Sequence, residues 1–356
     1  MHNDIYKRLA EHLDSLPGGF PPSHTGAEIP LLKRLFTPEE AELACDLTLE
    51  REDAAAFASR VGIDPDRTAR ALAEMAKKGL IFSVHPEDGL PLYQAAPFVV
   101  GIYEFQVGNL DEGLVELLNE YWSSQKRSRP LKTITQMRTI PIGESIDPHL
   151  EALPYQKVRE LVEVHERFAV AQCICRLQAR LEGQGCDALD EACLMFGEWA
   201  DFYVRGGNGR YIELPEVLEI LKRADEDNLV LQPSNSREIA AICCCCGCCC
   251  GILQGIKRHP RPAEIVSSVY TALLDQSLCT GCGVCLQRCQ MDALTRDGDV
   301  VSLDPRRCIG CGLCVTTCPE HALTLILKPG FEEYDMPASM NDTWKRISMD
   351  RAEANR

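Results

Sequence analysis

Cysteine is the residue type that dominates the chemistry available to this chain, which has 20 cysteines in 356 residues. Nineteen of them follow residue 170, so they are concentrated in one part of the sequence. The last eight form two runs of the same pattern, C-x2-C-x2-C-x3-C, which begin at Cys279 and Cys308. Thiolates at such short spacings can bind one metal centre together. The pattern therefore predicts two metal sites in residues 270–327.

A second group of eleven cysteines precedes these runs. Its members are Cys173, Cys175, Cys186, Cys193, Cys243, Cys244, Cys245, Cys246, Cys248, Cys249 and Cys250. Core packing does not explain seven cysteines in eight consecutive positions, because adjacent side chains cannot all face one core. We therefore expect some of these thiols to bind iron. Eleven thiols suffice either for two further four-iron clusters or for one larger or non-cubane cluster, so the sequence predicts one or two additional iron–sulfur clusters.

The composition limits the class of protein. Hydrophobic residues make up 45% and charged residues 25% of the chain, which is typical of a soluble globular protein. The 37 basic and 53 acidic residues give a formal charge of −16, which disfavours nucleic acid or an anionic membrane surface as partner. The N-terminus lacks the pattern of a signal peptide, and no apolar run approaches the ~18–20 residues of a membrane span. We expect a cytoplasmic protein without membrane insertion, whose reduced thiols bind metal and do not form disulfides.

The two C-terminal runs resemble a bacterial-type two-cluster ferredoxin. In that family three closely spaced thiolates bind one [4Fe-4S] cluster, and the fourth cysteine of each run ligates the other cluster. The resemblance implies that cluster one is bound by Cys279, Cys282, Cys285 and Cys318. It implies that cluster two is bound by Cys308, Cys311, Cys314 and Cys289. The alternative of zinc ribbons is disfavoured, because these need paired C-x2-C knuckles.

One position departs from the ferredoxin pattern, in which a proline follows each run. Gln290 replaces this proline after the first run, whereas Pro319 is present after the second. The longer pattern, with CICR, ACLMFG and ICCCCGCCC before the two runs, looks like a family of anaerobe four-iron ferredoxin-type proteins with a winged-helix-like N-terminal domain. In such motifs the second position of the cysteine run is often Asn. The resemblance thus implies that Cys244 is not a ligand and that the other ten thiols are candidate ligands. A looser resemblance links Cys245-Cys246-Gly247 to the CCG motif of heterodisulfide-reductase subunits, which hold non-cubane clusters.

Residues 30–125 predict a winged-helix-like domain. Thr37-Pro38 is typical of a helix start, a second helix is predicted at Ala54–Arg60, and Asp64-Pro65 starts a third. Two strands, at 80–84 and 90–94, follow around an acidic turn. A wing that binds DNA needs basic residues to neutralise phosphates. The acidic turn therefore favours a docking or structural module. DNA contact is the alternative, because the third helix carries Arg67, Arg70, Lys77 and Lys78.

Residues 126–262 predict a mixed α/β cysteine-rich domain. An apolar strand at 168–172 leads to Cys173, and a long helix is predicted from Leu189 to Val204. Arg176 is a candidate to hold a positive charge beside a cluster. With an N-terminal helix and linker at 1–29, a dicluster ferredoxin domain at 263–330 and a tail at 331–356, the fold class expected is multidomain α+β.

The patterns agree with functions from different classes. The first is an electron-transfer protein or redox-enzyme subunit that passes low-potential single electrons through the two ferredoxin-type clusters and the additional ones, with a redox protein as partner. The second is a redox-sensing transcription regulator that uses the winged helix, and the third is a catalytic middle-domain cluster that reduces a disulfide-type substrate. Several clusters suit conduction, whereas a sensor needs one, so the first function is favoured. The sequence predicts no catalytic residue.

Overall fold

The computed structural model of the protein describes residues 2–125, 135–142, 157–329 and 335–354. The chain forms two compact units. Unit 1 consists of Met1–Gln136, Glu198–Arg210 and Asn341–Arg356, and unit 2 of Met137–Gly197 and Tyr211–Met340. The cysteine-rich and ferredoxin segments share unit 2, whereas the division into five sequence segments stays a prediction about domains.

The described secondary structure is mixed α/β. The helices are α1 (His2–Ser15), α2 (Glu28–Leu35), α3 (Pro38–Asp46), α4 (Ala54–Val61), α5 (Pro65–Lys77), α6 (Glu112–Ser124), α7 (Val158–Glu163), α8 (Ile174–Leu181), α9 (Glu198–Arg205), α10 (Leu214–Glu226), α11 (Gly251–Arg258), α12 (Pro262–Ile265), α13 (Val284–Arg288), α14 (Leu313–Thr316) and α15 (Met340–Ala354). The strands are β1 (Glu52–Asp53), β2 (Phe82–Val84), β3 (Leu92–Gln94), β4 (Phe168–Gln172), β5 (Glu191–Phe196), β6 (Arg210–Ile212), β7 (Val230–Pro233), β8 (Ala241–Cys245), β9 (Tyr270–Leu274), β10 (Leu294–Asp297), β11 (Val300–Leu303) and β12 (Leu323–Leu327). None of the described helices has both the length and the apolar character needed to cross a membrane.

In unit 1 the central run of elements is α3-β1-α4-α5-β2-β3, and its antiparallel sheet has the order β1-β3-β2. Local capping explains where the helices begin. The Thr37 hydroxyl accepts a hydrogen bond from the Glu40 N–H, and the Glu40 carboxylate accepts one from the Thr37 N–H. Asp53 caps α4 and Asp64 caps α5 by one bond each: a carboxylate oxygen accepts a hydrogen bond from the backbone N–H three residues later.

Aromatic packing brings two later segments into unit 1. The Phe82 ring lies 4.6 Å from the Trp199 ring and 4.8 Å from the Phe202 ring, so α9 packs on the β2–β3 hairpin. The Trp344 ring of α15 lies 5.6 Å from the Trp199 ring, and its indole N–H donates to the Gln136 side-chain oxygen at 2.7 Å. Large buried aromatic side chains contribute much of a core's stability, so α9 and α15 are parts of the unit 1 core.

Unit 2 contains a five-stranded sheet with the order β6-β4-β5-β8-β7. Strands β4, β5, β8 and β7 pair with their neighbours in antiparallel fashion. The long helix predicted from Leu189 to Val204 is wrong, because this stretch forms the central strand β5 and then α9. Gly197, with a φ of 55°, separates the two elements in a left-handed conformation that suits glycine.

The ferredoxin segment has two antiparallel strand pairs, β9 with β12 and β10 with β11, and the short helices α13 and α14. Two glycines permit close backbone approach in the cysteine runs. A Cβ on Gly281 (φ +69°) would lie 2.1 Å from the Asp299 carbonyl oxygen, and one on Gly310 (φ +70°) would lie 2.2 Å from the Tyr270 carbonyl oxygen. No larger residue fits these positions without moving the backbone.

Candidate metal centres

The first C-terminal site is a cavity of about 330 Å³. Its lining includes four cysteines, which are Cys279, Cys282, Cys285 and Cys318. These are the four thiols that the ferredoxin resemblance assigns to cluster one. Cys285 lies on α13 and is buried, whereas Cys282 is exposed. This cavity therefore lies next to the protein surface.

The second C-terminal site is a cavity of about 390 Å³. Its lining includes Cys289, Cys308, Cys311 and Cys314, the four thiols assigned to cluster two. Burial raises the pKa of Cys311 to about 12, and burial also raises the pKa of Cys314 well above its ordinary value. Without metal these thiols hold their protons, so metal binding must expel them.

Backbone N–H groups point at the fourth cysteine of each run. The Ala293 N–H donates to the Cys289 sulfur at 3.2 Å, and the Ala322 N–H donates to the Cys318 sulfur at 3.3 Å. Each donor lies four residues after its cysteine, so the two runs repeat one local arrangement. Hydrogen bonds to ligating sulfurs stabilise thiolates and set cluster potentials. Four thiols per cavity, with N–H donors at the sulfurs, fit a [4Fe-4S] cluster in each.

In the cysteine-rich region, six of the ten candidate thiols form a closed ring of hydrogen-bonding contacts, which we call the sulfur ring. Its members, in order around the ring, are Cys173, Cys175, Cys250, Cys245, Cys243 and Cys193. Strand pairing brings the last two together, because β5 and β8 place Cys193 opposite Cys243.

Charge in the sulfur ring is unevenly distributed. Hydrogen bonds from Cys175 and Cys193 hold the pKa of Cys173 well below its usual range. The same bond to Cys173 raises the pKa of Cys175 well above its usual range. Cys173 is also the N-cap residue of α8, where the helix dipole favours a thiolate. The ring is thus able to offer anionic sulfur to a metal centre.

The other four candidate thiols form a separate group, which we call the sulfur tetrad: Cys186, Cys246, Cys248 and Cys249. All four sulfurs lie within 4.8 Å of one another. Three of the sulfur–sulfur distances are 3.7 Å, namely Cys186–Cys246, Cys248–Cys249 and Cys249–Cys186. Cys186 comes from the loop between α8 and β5, and the other three come from the loop between β8 and α11.

Arg176 is a charged group in contact with a sulfur of the tetrad. Its side chain is buried, donates to the Cys244 carbonyl oxygen at 3.1 Å and contacts the Cys246 sulfur at 3.9 Å. Burial alone would raise the pKa of Cys246, but the Arg176 guanidinium and a hydrogen bond with Cys248 outweigh it and the net pKa is lowered. Arg176 therefore stabilises one thiolate of the tetrad.

Cys244 lies apart from both groups. Side chains alternate along β8, so Cys243 and Cys245 face the sulfur ring and Cys244 faces the opposite side. Its side chain is buried in the unit 2 core, and burial raises its pKa to about 12. These features suit a neutral core thiol, and the absence of Cys244 from the ligand set stays a prediction.

The ferredoxin segment and the cysteine-rich region are tied together through Gln290, the residue that departs from the ferredoxin pattern. Its side-chain oxygen accepts a hydrogen bond from the Gly247 N–H at 2.8 Å, inside the tetrad loop. Its side-chain nitrogen donates to the Asn228 carbonyl oxygen at 2.9 Å. The neighbouring Arg288 forms an ion pair with Asp225 of α10. Proline could make none of the side-chain bonds of Gln290, which accounts for the departure.

The second cavity borders this junction, because Arg288, Gln290 and Met291 are part of its lining. Cys289 and Cys311 pack against the same core that contains Cys245 and Cys250, together with Met291 of the ferredoxin segment. The sequence did not predict this shared core or the division of ten thiols into six and four. Both depend on the register between β5 and β8 and on loop packing, which no local spacing encodes.

Comparison with known families agrees with the C-terminal geometry. The family model of the 4Fe-4S dicluster domain matches residues 272–325, which include all eight cysteines of the two runs. No curated protein matches the chain. The protein therefore carries a C-terminal 4Fe-4S dicluster domain, and it has a potential metal-binding group at Cys186, Cys246, Cys248 and Cys249 in its cysteine-rich region.

Proposed function

We propose that the protein is an iron–sulfur electron-transfer protein or a redox-enzyme subunit that exchanges low-potential single electrons with a redox protein partner. The observation that carries this proposal is the pair of cavities, each lined by four cysteines of the dicluster domain. A [4Fe-4S] cluster, when bound, accepts and releases one electron at a time. The cysteines that line the cavities would hold the clusters, and Cys282 of the first cavity is exposed whereas Cys308 of the second is buried.

Exposure gives the two cavities different roles. Beside the first cavity, Cys282 is exposed, Val284 is 40% exposed and Leu278 is 50% exposed. Exposed apolar side chains around a redox site form a docking surface for a partner. The second cavity instead has Cys289 and Cys311 against the core of the cysteine-rich region. We therefore assign the first cavity to exchange with the partner and the second to exchange with the interior.

The sulfur ring is the proposed site of an additional iron–sulfur cluster. Six converging thiols are more than one cubane requires, which allows a larger or non-cubane cluster. Cys173, Cys245 and Cys250 are buried, so a bulky disulfide substrate has little access to this ring. Relay of electrons is therefore favoured over catalytic reduction of a disulfide at the ring.

For unit 1 we propose a winged-helix-like docking module. The order α3-β1-α4-α5-β2-β3 and the sheet order β1-β3-β2 support the winged-helix assignment. Arg67 and Arg70 of α5 are exposed, but so are Glu87 and Asp88 of the β2–β3 turn, where a phosphate would have to lie. Salt-sensitive retention of the full-length protein on duplex DNA would reverse this choice and favour the redox-sensing regulator.

We propose a cytoplasmic and oxygen-sensitive protein, as expected of a chain that functions in an anaerobic setting. None of the twenty cysteines, all of which lie in the described part of the chain, forms a disulfide. Thiols remain reduced in the cytoplasm, and exposed iron–sulfur ligands such as Cys282 are vulnerable to oxidants.

The function is tested with anaerobically purified full-length protein. We expect two [4Fe-4S] clusters in the dicluster domain, about 8 iron, plus the iron of any cluster in the sulfur ring. Cys282→Ser and Cys311→Ser, one variant for each cavity, should each remove about 4 iron and one component of the EPR spectrum of the reduced protein. Full iron content in both variants would reject the cavities as cluster sites.

A further inference from the structure

We propose that the sulfur tetrad, Cys186, Cys246, Cys248 and Cys249, is a mononuclear zinc site and not part of an iron–sulfur cluster. The inference does not rest on the electron-transfer proposal, because it concerns four thiols outside both dicluster cavities. It divides the ten candidate iron ligands into two groups with different metals.

The sulfur–sulfur distances are those of a tetrahedron around one ion. Zinc binds thiolates at about 2.3 Å, and a regular tetrahedron of that radius has edges of about 3.8 Å. Three edges of the tetrad measure 3.7 Å, and no pair of its sulfurs is separated by more than 4.8 Å. A single ion at the centre would therefore lie close to all four sulfurs, and small side-chain movements would bring them to bonding distance.

The dicluster cysteines provide an internal comparison. A cubane has four iron atoms, so its thiolates are spread more widely than those around one ion. Across the residues that the structure describes, the tetrad is the one group of three or more potential ligands with all donor atoms within 4.8 Å. Neither the eight cysteines of the two C-terminal runs nor the six of the sulfur ring form such a group. The tetrad is thus distinguished from the cluster sites of the same molecule by its compactness.

Ligand type and surroundings also suit zinc. Four thiolates with no open position make a structural zinc site, and softer sulfur ligands select zinc over hard cations. Four thiolates around a divalent ion carry a net charge of −2, which the buried Arg176, 3.9 Å from the Cys246 sulfur, partly balances. The ion would join the loop that contains Cys186 to the loop that contains Cys248, a role comparable to that of a disulfide in an oxidising compartment.

The test is metal analysis of full-length protein produced with both iron and zinc available. We expect about one zinc per chain besides the iron, and zinc-edge X-ray absorption should show four sulfur ligands at about 2.3 Å. Cys248→Ser should remove most of the zinc and leave iron, sulfide and the EPR spectrum unchanged. The matched variant Cys175→Ser, in the sulfur ring, should retain zinc.

Two results would overturn the proposal. One is wild-type protein that contains no zinc under these conditions, and the other is loss of iron and sulfide from Cys248→Ser with zinc unaffected. If Cys248→Ser does not fold, the X-ray absorption of the wild-type protein decides, because iron or nitrogen neighbours around the zinc exclude a four-thiolate site. Neither result touches the iron of the two dicluster cavities, so failure here is distinguishable from failure of the electron-transfer proposal.

Discussion

Three successive cysteines on β8 have different surroundings, although they are neighbours in the sequence. Cys243 and Cys245 belong to the sulfur ring, and Cys244 between them is a buried core thiol with a pKa raised to about 12. Period-two alternation along the strand separates the two candidate ligand positions from the core position. Similar motifs often have Asn at the position of Cys244, which also indicates that Cys244 is not a ligand. The sequence alone does not identify the partners of Cys243 and Cys245, because they depend on the register between β5 and β8.

We predict that Cys244→Ala retains the full iron and zinc content, because this thiol binds neither metal. The substitution should cost about 1 kcal/mol in the free energy of unfolding, from the small cavity it leaves. Metal analysis and anaerobic urea unfolding measure the two effects. The matched variant Cys245→Ala should lose iron, and comparable iron loss from Cys244→Ala would make Cys244 a ligand.

A second prediction concerns Gln290. Gln290→Leu keeps the volume of the side chain but leaves the Gly247 N–H, normally 2.8 Å from the Gln290 oxygen, without its partner. This hydrogen bond is only part-buried, so its loss should cost about 0.5–1.5 kcal/mol and the variant should unfold at a lower urea concentration. Gln290→Glu keeps the acceptor oxygen and should recover part of the loss. Equal stability of the Leu variant and the wild type would show that this bond contributes nothing.

At the scale of elements, the sequence predicted local structure well and long-range pairing poorly. The helix starts at Thr37 and Asp64 were predictable because caps are local. The sequence predicts a helix over the stretch from Glu191 to Phe196. In the structure this stretch is the central strand β5, which pairs with β4 on one side and β8 on the other. Its apolar character fits either a buried helix or a buried strand, and tertiary pairing decided between them.

We predict that Gly281→Ala disrupts cluster one, since a Cβ there meets the Asp299 carbonyl oxygen at 2.1 Å. The loop between Cys279 and Cys282 must move, and about 4 iron should be lost. Gly298→Ala is the matched control, because Gly298 has a similar φ of +60° but no atom within 4 Å of the added Cβ. It should cost about 1 kcal/mol of backbone strain and no iron. Equal iron loss from both variants would show that the positive φ of the glycine, and not the contact with the Asp299 carbonyl oxygen, causes the loss.

At the scale of the molecule, the two dicluster cavities differ in their surroundings: the first has the exposed Cys282 in its lining, and two cysteines of the second pack against the unit 2 core. The ferredoxin resemblance assigned four cysteines to each cluster, and the same four line each cavity, although their role as ligands stays a prediction. The sequence could not predict which cavity borders the cysteine-rich region, because this depends on the core that Cys289 and Cys311 pack against.

We predict that Val284→Glu slows reduction of the protein by a reduced two-cluster ferredoxin severalfold, because it places a charge in the apolar docking surface beside the first cavity. Reduction by dithionite, which needs no docking surface, should be unchanged, as should the iron content. Leu90→Glu is the control, since Leu90 is 64% exposed but lies in the β2–β3 turn of unit 1. Stopped-flow absorbance measures the rates of reduction. Equal slowing by both variants would contradict the proposal that the surface beside the first cavity is the docking site of the partner.

The chain passes from unit 1 to unit 2 and back twice, and its last helix returns to the ring of Trp199. During synthesis the N-terminal unit therefore cannot close its core when its first 136 residues have left the ribosome. It must wait for α9 and then for Trp344, by which time every cysteine has been made. A chain that stops within the cysteine-rich or ferredoxin segments lacks Trp344, so its unit 1 core misses one of its buried aromatic side chains. The order of the units along the chain thus places completion of the unit 1 core after synthesis of every cysteine.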